Sequence, residues 1–338
     1  MNFINILNHI LRPLEWVVAQ LLTLFHHALV TFGMTAGPSP AWGIAIMCLV
    51  LVIRICLLPL FLSQMRAMQR IQVLQPQIQR IQHKYAARKD PRSKEAMQRE
   101  IMALQQRYNA NPLGSCLPSL IQAPILCSLF YTLQSLPAIA DGNAEPLGGI
   151  DHTMAGDIES SSIFGVRIAD SFGTVASPQS RIIIGVAVAL MCLTLFAIQW
   201  MLIHRNTSKD AMVSPQFRVQ KMTVFVFPAI YVVSGATLPF GVLLYWLTNN
   251  LWNLGQTLCQ LRWFPTPGSA AGERKARRDY EQDNRRRAAA GLPSLEAERA
   301  MAAREEAKAR REREKSAASR NRKQHKTPHL AKRSIVKR

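Results

Sequence analysis

The sequence predicts an all-α polytopic membrane protein with five transmembrane helices and a helical hairpin outside the bilayer. Three observations carry that prediction. Apolar residues are gathered into five long runs instead of being spread with amphipathic period, and each run is near the length of about 20 residues that a hydrocarbon core requires. The segments between the runs alternate between basic and acidic, as they do when they face opposite sides of a membrane. The polar stretch 63–111 carries two apolar seams at heptad spacing, the pattern of two paired helices. Cys48, Cys56, Cys116, Cys127, Cys192 and Cys259 all lie inside apolar segments without metal-like spacing, so they read as small buried apolar residues.

Residues 1–32 are apolar but two-faced. Asn5, Asn8, His9, Arg12, Glu15, Gln20, Thr23, His26, His27 and Thr31 project onto one arc, and leucines fill the rest. This predicts an amphipathic helix lying in the membrane interface on the outer face (residues 1–40), with an additional span as the alternative. No basic region followed by a cleavage site precedes it, so no removable signal peptide is expected. Gly37, Pro38, Ser39 and Pro40 then break the chain.

The first span, 41–62, reads AWGIAIMCLVLVIRICLLPLFL and carries one charge, Arg54. Arg54 falls about 20 Å into a continuous helix of 1.5 Å rise per residue. An arginine at that depth costs roughly 2.5–3.5 kcal/mol and normally faces a partner or a wet cavity. The bland alternative is a side chain that snorkels to water.

In the hairpin, Ile71, Leu74, Ile78, Ile81 and Tyr85 form one seam, and Met97, Ile101, Leu104 and Tyr108 the other. Arg88 to Ser93 supply the turn, and Pro76 is expected to kink the first arm or start it. Four more runs follow, at 113–136, 182–203, 222–238 and 240–261, the last two joined tightly through Pro239. The hairpin is rich in Lys and Arg, as is the short loop with Arg205, Lys209, Arg218 and Lys221. The loop 137–180 has Arg167 against Asp141, Glu145, Asp151, Asp157, Glu159 and Asp170. The positive-inside rule therefore places hairpin, short loop and C-terminus in the cytoplasm and the N-terminus outside. From 263 to 338 the composition is Ala, Arg, Glu and Lys, with too few apolar residues for a core. This predicts a largely disordered basic tail, transiently helical near 294–315, that is either simply solvated or attracted to RNA or anionic lipid.

No Asp, Glu or His lies in the five runs. Proton relays, Ser–His chemistry and metal hydrolysis therefore lack their usual residues there. The intramembrane polar residues are neutral: Gln122, Gln199, Thr248, Asn249, Asn250 and Gln256. Singly, each reads as a helix–helix hydrogen-bonding residue. Together with Arg54 they are candidates to line a wet groove of positive potential. No nucleotide-binding loop or other cofactor motif is visible, and no cofactor or metal is expected.

Four stretches together resemble one family. VIRICLLPL around Arg54, LQPQIQRIQHKY from Leu74, NPLGSCLPSLIQAPILCSLFYTL from Asn111 and LPFGVLLYWLTNNLWNLGQ from Leu238 are similar to the core of the YidC insertases, relatives of the mitochondrial Oxa and chloroplast Alb proteins. The likeness covers about residues 41–261. It implies a five-helix insertase core around a hydrophilic groove open to the cytoplasm and sideways to lipid, in a bacterial cell membrane. It implies that Arg54 is the groove arginine and that Gln122, Gln199 and Trp246 line the groove, with Asn249 and Asn250 beside them. It further implies that the protein is not an enzyme and that its partners are nascent membrane proteins, the Sec translocon, membrane lipids and, through basic tail and loops, the ribosome. The sequence shows neither the large folded outer domain of one branch nor a lipoprotein-type cysteine, so no lipid anchor is expected. The alternative from another class is a polyspecific channel or transporter. A chaperone that folds spans without inserting them would need the same groove.

Overall fold

A computed structural model describes residues 3–88, 90–108, 110, 117–209, 211–213 and 215–326. Cys116, the first residues of the expected second span (113–116) and the end of the tail (327–338) lie outside the described residues. The chain divides into two compact units, Met1–Glu273 and Arg274–Arg338.

The first expected span is not one straight helix. Helix α2 (Ala41–Cys56) and helix α3 (Leu58–Tyr85) meet at Leu57 with a bend of 54°. Pro59 explains the break, because it has no N–H to give the carbonyl of Ile55 and its ring crowds that carbonyl. Leu57 still donates to Ile53 at 2.9 Å, and the ladder resumes when Phe61 donates to Leu57 at 3.0 Å. Arg54 therefore sits in the last turn of α2 and not midway along a continuous span. Beyond the bend, α3 runs through Pro76 without interruption and becomes the first arm of the hairpin.

The second arm is α4 (Pro91–Arg107), started by Asp90, whose carboxylate accepts from the Ser93 N–H at 2.8 Å. Leu74 and Ile78 are buried between the arms with Ala110, and Ile71, Ile101 and Leu104 pack on them. An exposed ion pair joins Lys84 Nζ and Glu100 Oε2 at 2.9 Å.

Helices α5 (Leu117–Ala140), α7 (Pro178–Asn206), α8 (Pro215–Thr237) and α9 (Phe240–Trp263) overlap the remaining expected spans; α7 extends past its expected limits at both ends, α8 at its start, and α5 and α9 at their C-terminal ends. Helix α9 is central and packs on α2, α5 and α7. Its first turns, Phe240 to Tyr245, are fully buried, whereas α8 turns Phe225 and Val233 outward. By length and composition, α7 and parts of α1, α5 and α8 are able to cross a membrane, as is the bent pair α2–α3 if it counts as one span. Helix α9 is not among them, because Asn249, Asn250, Asn253, Gln256 and Gln260 dilute its apolar residues.

Helix α1 (Phe3–Thr31) packs against α2 and α5, burying Leu11, Val18, Ala19 and Leu22. Its polar arc is not left facing solvent along its length. Thr23 and His26 are buried, and the His26 ring stacks on Trp42 at 3.8 Å between centroids. The segment Leu11–Thr31 is long and apolar enough to cross a membrane, which fits the alternative of an additional span.

The long acidic loop is ordered. It holds α6 (His152–Ser160), capped by Asp151, and a hairpin of β1 (Ser162–Ile163) and β2 (Val166–Arg167). Phe164 and Gly165 turn the hairpin with φ of 56° and 81°. Gly148 and Gly149 let the loop lie directly on α1, since a Cβ on either would fall 2.8 Å from the Trp16 carbonyl oxygen or 2.6 Å from Thr23 Oγ1. The loop also finishes α9, because the N–H groups of Phe240 and Gly241 donate to the carbonyls of Asp170 and Ile168 at 2.7 and 2.9 Å.

The tail was expected to be largely disordered, but it is helical as far as Lys326. Helix α10 (Ala270–Ala289) is followed by α11 (Leu295–Lys326). Alanine, arginine, glutamate and lysine are strong helix formers, and pairs one turn apart such as Arg310–Glu314 add to that preference. The turn between the helices is tied by Asn284, which accepts from the Leu295 N–H, and by Arg287, which pairs with Glu298. A core is not needed for this order; local preference and caps supply it.

Candidate functional site: a cavity with one charge

Where α2 bends into α3, the helices leave a cavity of about 570 Å³, within the usual size of small-ligand sites. Arg54, Leu57, Phe61 and Gln64 line it from the bent pair, and Gln122, Ala123 and Leu126 from α5. Phe227 and Tyr231 come from α8, and Asn249, Trp252, Asn253 and Gln256 from α9. Among the described residues, Arg54 is the sole charged one in this lining.

The bend helps to hold that charge. A helix end carries unpaired carbonyls and a partial negative charge, and a cation in its last turn is favoured. The guanidinium is half-buried and donates from Nε to Asn249 Oδ1 at 2.9 Å, with Nη2 donating to the same oxygen. Among the described residues it forms no ion pair with a carboxylate. Its partner is thus a neutral amide, and the positive charge is not cancelled.

A second polar contact lies beside the first. Gln122 Nε2 donates to the Tyr245 hydroxyl, one helical turn before Asn249, while Gln122 Oε1 is buried without a hydrogen-bond partner. Leaving an acceptor buried and unpaired costs about 1–3 kcal/mol, so the site holds unused hydrogen-bonding capacity.

Of the sequence-predicted residues, the structure gathers Arg54, Gln122, Asn249 and Gln256 around the cavity, while Thr248 is not in the lining. Asn250 is buried just behind the lining, its Nδ2 unpartnered. Trp246 is partly buried in the core, with its ring 5.0 Å from that of Tyr231. Gln199, half-buried on α7, is not part of the lining. Tyr245, Tyr231, Gln64 and Asn253 were not singled out from the sequence. A signal for Asn253 existed, since it stands four residues after Asn249 and three before Gln256 on one face of α9. Tyr245 had none, because an aromatic in an apolar run reads as core.

No group of three or more His, Cys, Asp or Glu side chains positioned to hold a metal occurs among the described residues. The arrangement can hold a carboxylate or polar backbone by charge-assisted hydrogen bonds from Arg54.

Comparison with known proteins places these elements. The family described as 60Kd inner membrane protein matches residues 34–266, which takes in the cavity and the hairpin. A relative from Bifidobacterium longum, named membrane protein insertase YidC, is 44% identical over 90% of this chain and 91% of its own length. Relatives of the same name from Streptomyces avermitilis and Tropheryma whipplei (strain Twist) are 34% and 30% identical, over 79% and 81% of this chain and 61% and 90% of their own lengths. The likeness read from the four motifs therefore holds across most of the chain: it belongs to the 60Kd inner membrane protein family and is a multi-pass membrane protein.

Proposed function

We propose that the chain is a membrane protein insertase that also helps its clients fold, and that the cavity around Arg54 is its client groove. One observation carries the reading: a single arginine, uncancelled by any described carboxylate, faces a cavity of about 570 Å³ walled by α5 and α8, which are apolar enough to cross a membrane, by the bent pair α2–α3 and by the more polar α9. A nascent segment with a short acidic tail is held there by exchange of the Arg54–Asn249 bond for a bond to carboxylate, which is roughly twice as strong as a neutral one. The polar lining shortens the apolar barrier that the tail crosses. Burial of the client's span in lipid then drives release at about 25 cal/mol per Å². The role is binding and transfer, not bond chemistry.

The name carried by the relatives supports the insertase reading. The charge bias of the loops supports an N-terminus outside and a C-terminus in the cytoplasm. The basic hairpin and the helices α10 and α11 offer cationic surfaces to a ribosome, and the apolar flanks of the spans offer contact to lipid and a Sec translocon.

The test is insertion of a single-span client with a short acidic N-terminal tail into liposomes containing only this protein, scored by protease protection of the tail. Protein-dependent protection that falls at least about tenfold with Arg54→Glu, and much less with Arg54→Lys, is the expected result. Equal activity of the two variants removes the groove charge from the mechanism. Absence of protection with folded wild type leaves a chaperone acting beside a translocon, and a substrate-dependent current in the same liposomes makes the protein a channel.

A further inference from the structure

A second cavity borders the first between α3 and α9, with Phe61, Trp252 and Gln256 common to both. It encloses about 450 Å³ and is almost wholly apolar, lined by Leu58, Leu62 and Met65 of α3 and by Leu251, Gly255 and Cys259 of α9. One turn further along α3 a third cavity, of about 410 Å³, brings in basic and amide groups: Arg66, Gln69, Arg70 and Gln77 line it beside the apolar Val73 and Leu74. The apolar and the basic cavity follow one another along α3: Met65 lines the former and Arg66 the latter, with Phe264 and Pro267 on the opposite walls. Gln69 Nε2 fixes that wall by donating to the carbonyls of Phe264 and Pro265 at 2.6 and 3.2 Å.

We infer that this pair of cavities is a binding site for an anionic glycerophospholipid, with its acyl chain between α3 and α9 and its phosphate on Arg66. The occupant has to carry an anionic group joined directly to a long apolar tail, because the change from apolar to basic wall takes place within one helical turn. A soluble anion leaves the apolar slot empty. Arg66 is exposed and makes no ion pair among the described residues, so its guanidinium is able to take a phosphate in a two-pronged bond. Arg66 also stands four residues beyond Leu62, the end of the apolar run, on the side that the positive-inside rule assigns to the cytoplasm, where anionic lipids are met. The apolar slot shares Phe61, Trp252 and Gln256 with the client groove, but neither Arg54 nor Gln122. The inference rests on the membrane location of the chain and not on its insertase role.

Native mass spectrometry of the full-length protein in detergent tests it, with dioleoylphosphatidylglycerol, dioleoylphosphatidylcholine and glycerophosphate as probes. The phosphatidylglycerol adduct is expected at markedly lower lipid concentration than the phosphatidylcholine adduct. Arg66→Glu is expected to weaken phosphatidylglycerol binding at least about fivefold, the effect of one basic residue at an anionic surface, with phosphatidylcholine unchanged. Gly255→Phe is expected to weaken both lipids, since a Cβ at Gly255 meets nothing within 4 Å and the ring fills the slot without disturbing a neighbour. Equal binding of the two lipids, wild-type binding by either variant, or competition by glycerophosphate at the lipid's own concentration overturns the proposal.

Discussion

Arg54 and its partner set the behaviour of the site at the scale of single residues. The bond to Asn249 orients the guanidinium without neutralising it, so Asn249→Asp is expected to be worse than Asn249→Ala. The aspartate installs a permanent counter-ion that competes with every client carboxylate, and insertion in the liposome assay should fall at least about tenfold, matching a loss of about 1.4 kcal/mol in capture. The arginine and its polar neighbours were legible in the sequence because polar residues are rare in apolar runs. Which of them converge was not, since Gln199 and Asn249 look alike until α7 and α9 are placed side by side. A pH effect belongs to this scale too. The carboxylate of Asp151 accepts from the N–H of Met154 and from the hydroxyl of Thr153, which hold its pKa below the usual value, with backbone bonding the largest cause. The folded-state pKa lies under the unfolded one, so the cap stabilises α6 above the unfolded pKa, and that support is lost as pH falls through the folded pKa. Asp151→Ala is expected to lower protection of the α6 amides against hydrogen exchange by about 0.5–1 kcal/mol at neutral pH, and by little in strong acid.

Among the elements, the bend at Leu57 is the one the sequence announced and the periodicity concealed. A proline at position 59 in an apolar run is tolerated in membrane helices, so composition reads the whole stretch as one span, while the missing N–H ends the helix locally. Pro59→Ala restores the donor to Ile55. It is expected to straighten the pair and carry Arg54 away from Asn249, lowering insertion while leaving thermal stability equal or higher; distance measurements between spin labels on α2 and α3 would read the straightening. The β-hairpin of the loop offers a second case. Phe164 occupies the left-handed region at a φ of 56°, a strain of about 1–2 kcal/mol for a residue with a side chain, and it is largely exposed. Phe164→Asn is expected to raise the melting temperature by about 2–4 °C in detergent, the shift that about 1 kcal/mol brings in a chain of this order of size. The heptad seams were readable residue by residue, because Leu74, Ile78, Ile101 and Leu104 recur at the spacing of paired helices and do meet. The helices of the tail are not legible from hydrophobic pattern, because local helix preference and not burial forms them.

Across the whole molecule, the acidic loop is what sequence could least reveal. Its sequence is short in regular pattern, and its contacts with α1, α2 and α9 are all distant in the chain. A Cβ on Gly43 of α2 would fall 2.1 Å from Ile163 Cδ1, so the loop and the bundle are fitted to each other without slack. Gly43→Leu is therefore expected to destabilise the protein by about 1–3 kcal/mol, seen as a lowered melting temperature, although it lies far along α2 from Arg54. Continuity at the other end of the molecule has a different result. Helix α3 runs unbroken from Leu58 beside the bend to Tyr85 at the hairpin tip, 28 residues or about 42 Å, so the break at Pro59 is the point about which it would turn against α2. Gln64 stands on the same helix about 10 Å from that point. The hairpin is in effect the long arm of a lever whose short arm is the cavity wall. Displacing the tip by about 10 Å moves Gln64 by roughly 2 Å, enough to make or break a hydrogen bond in the groove.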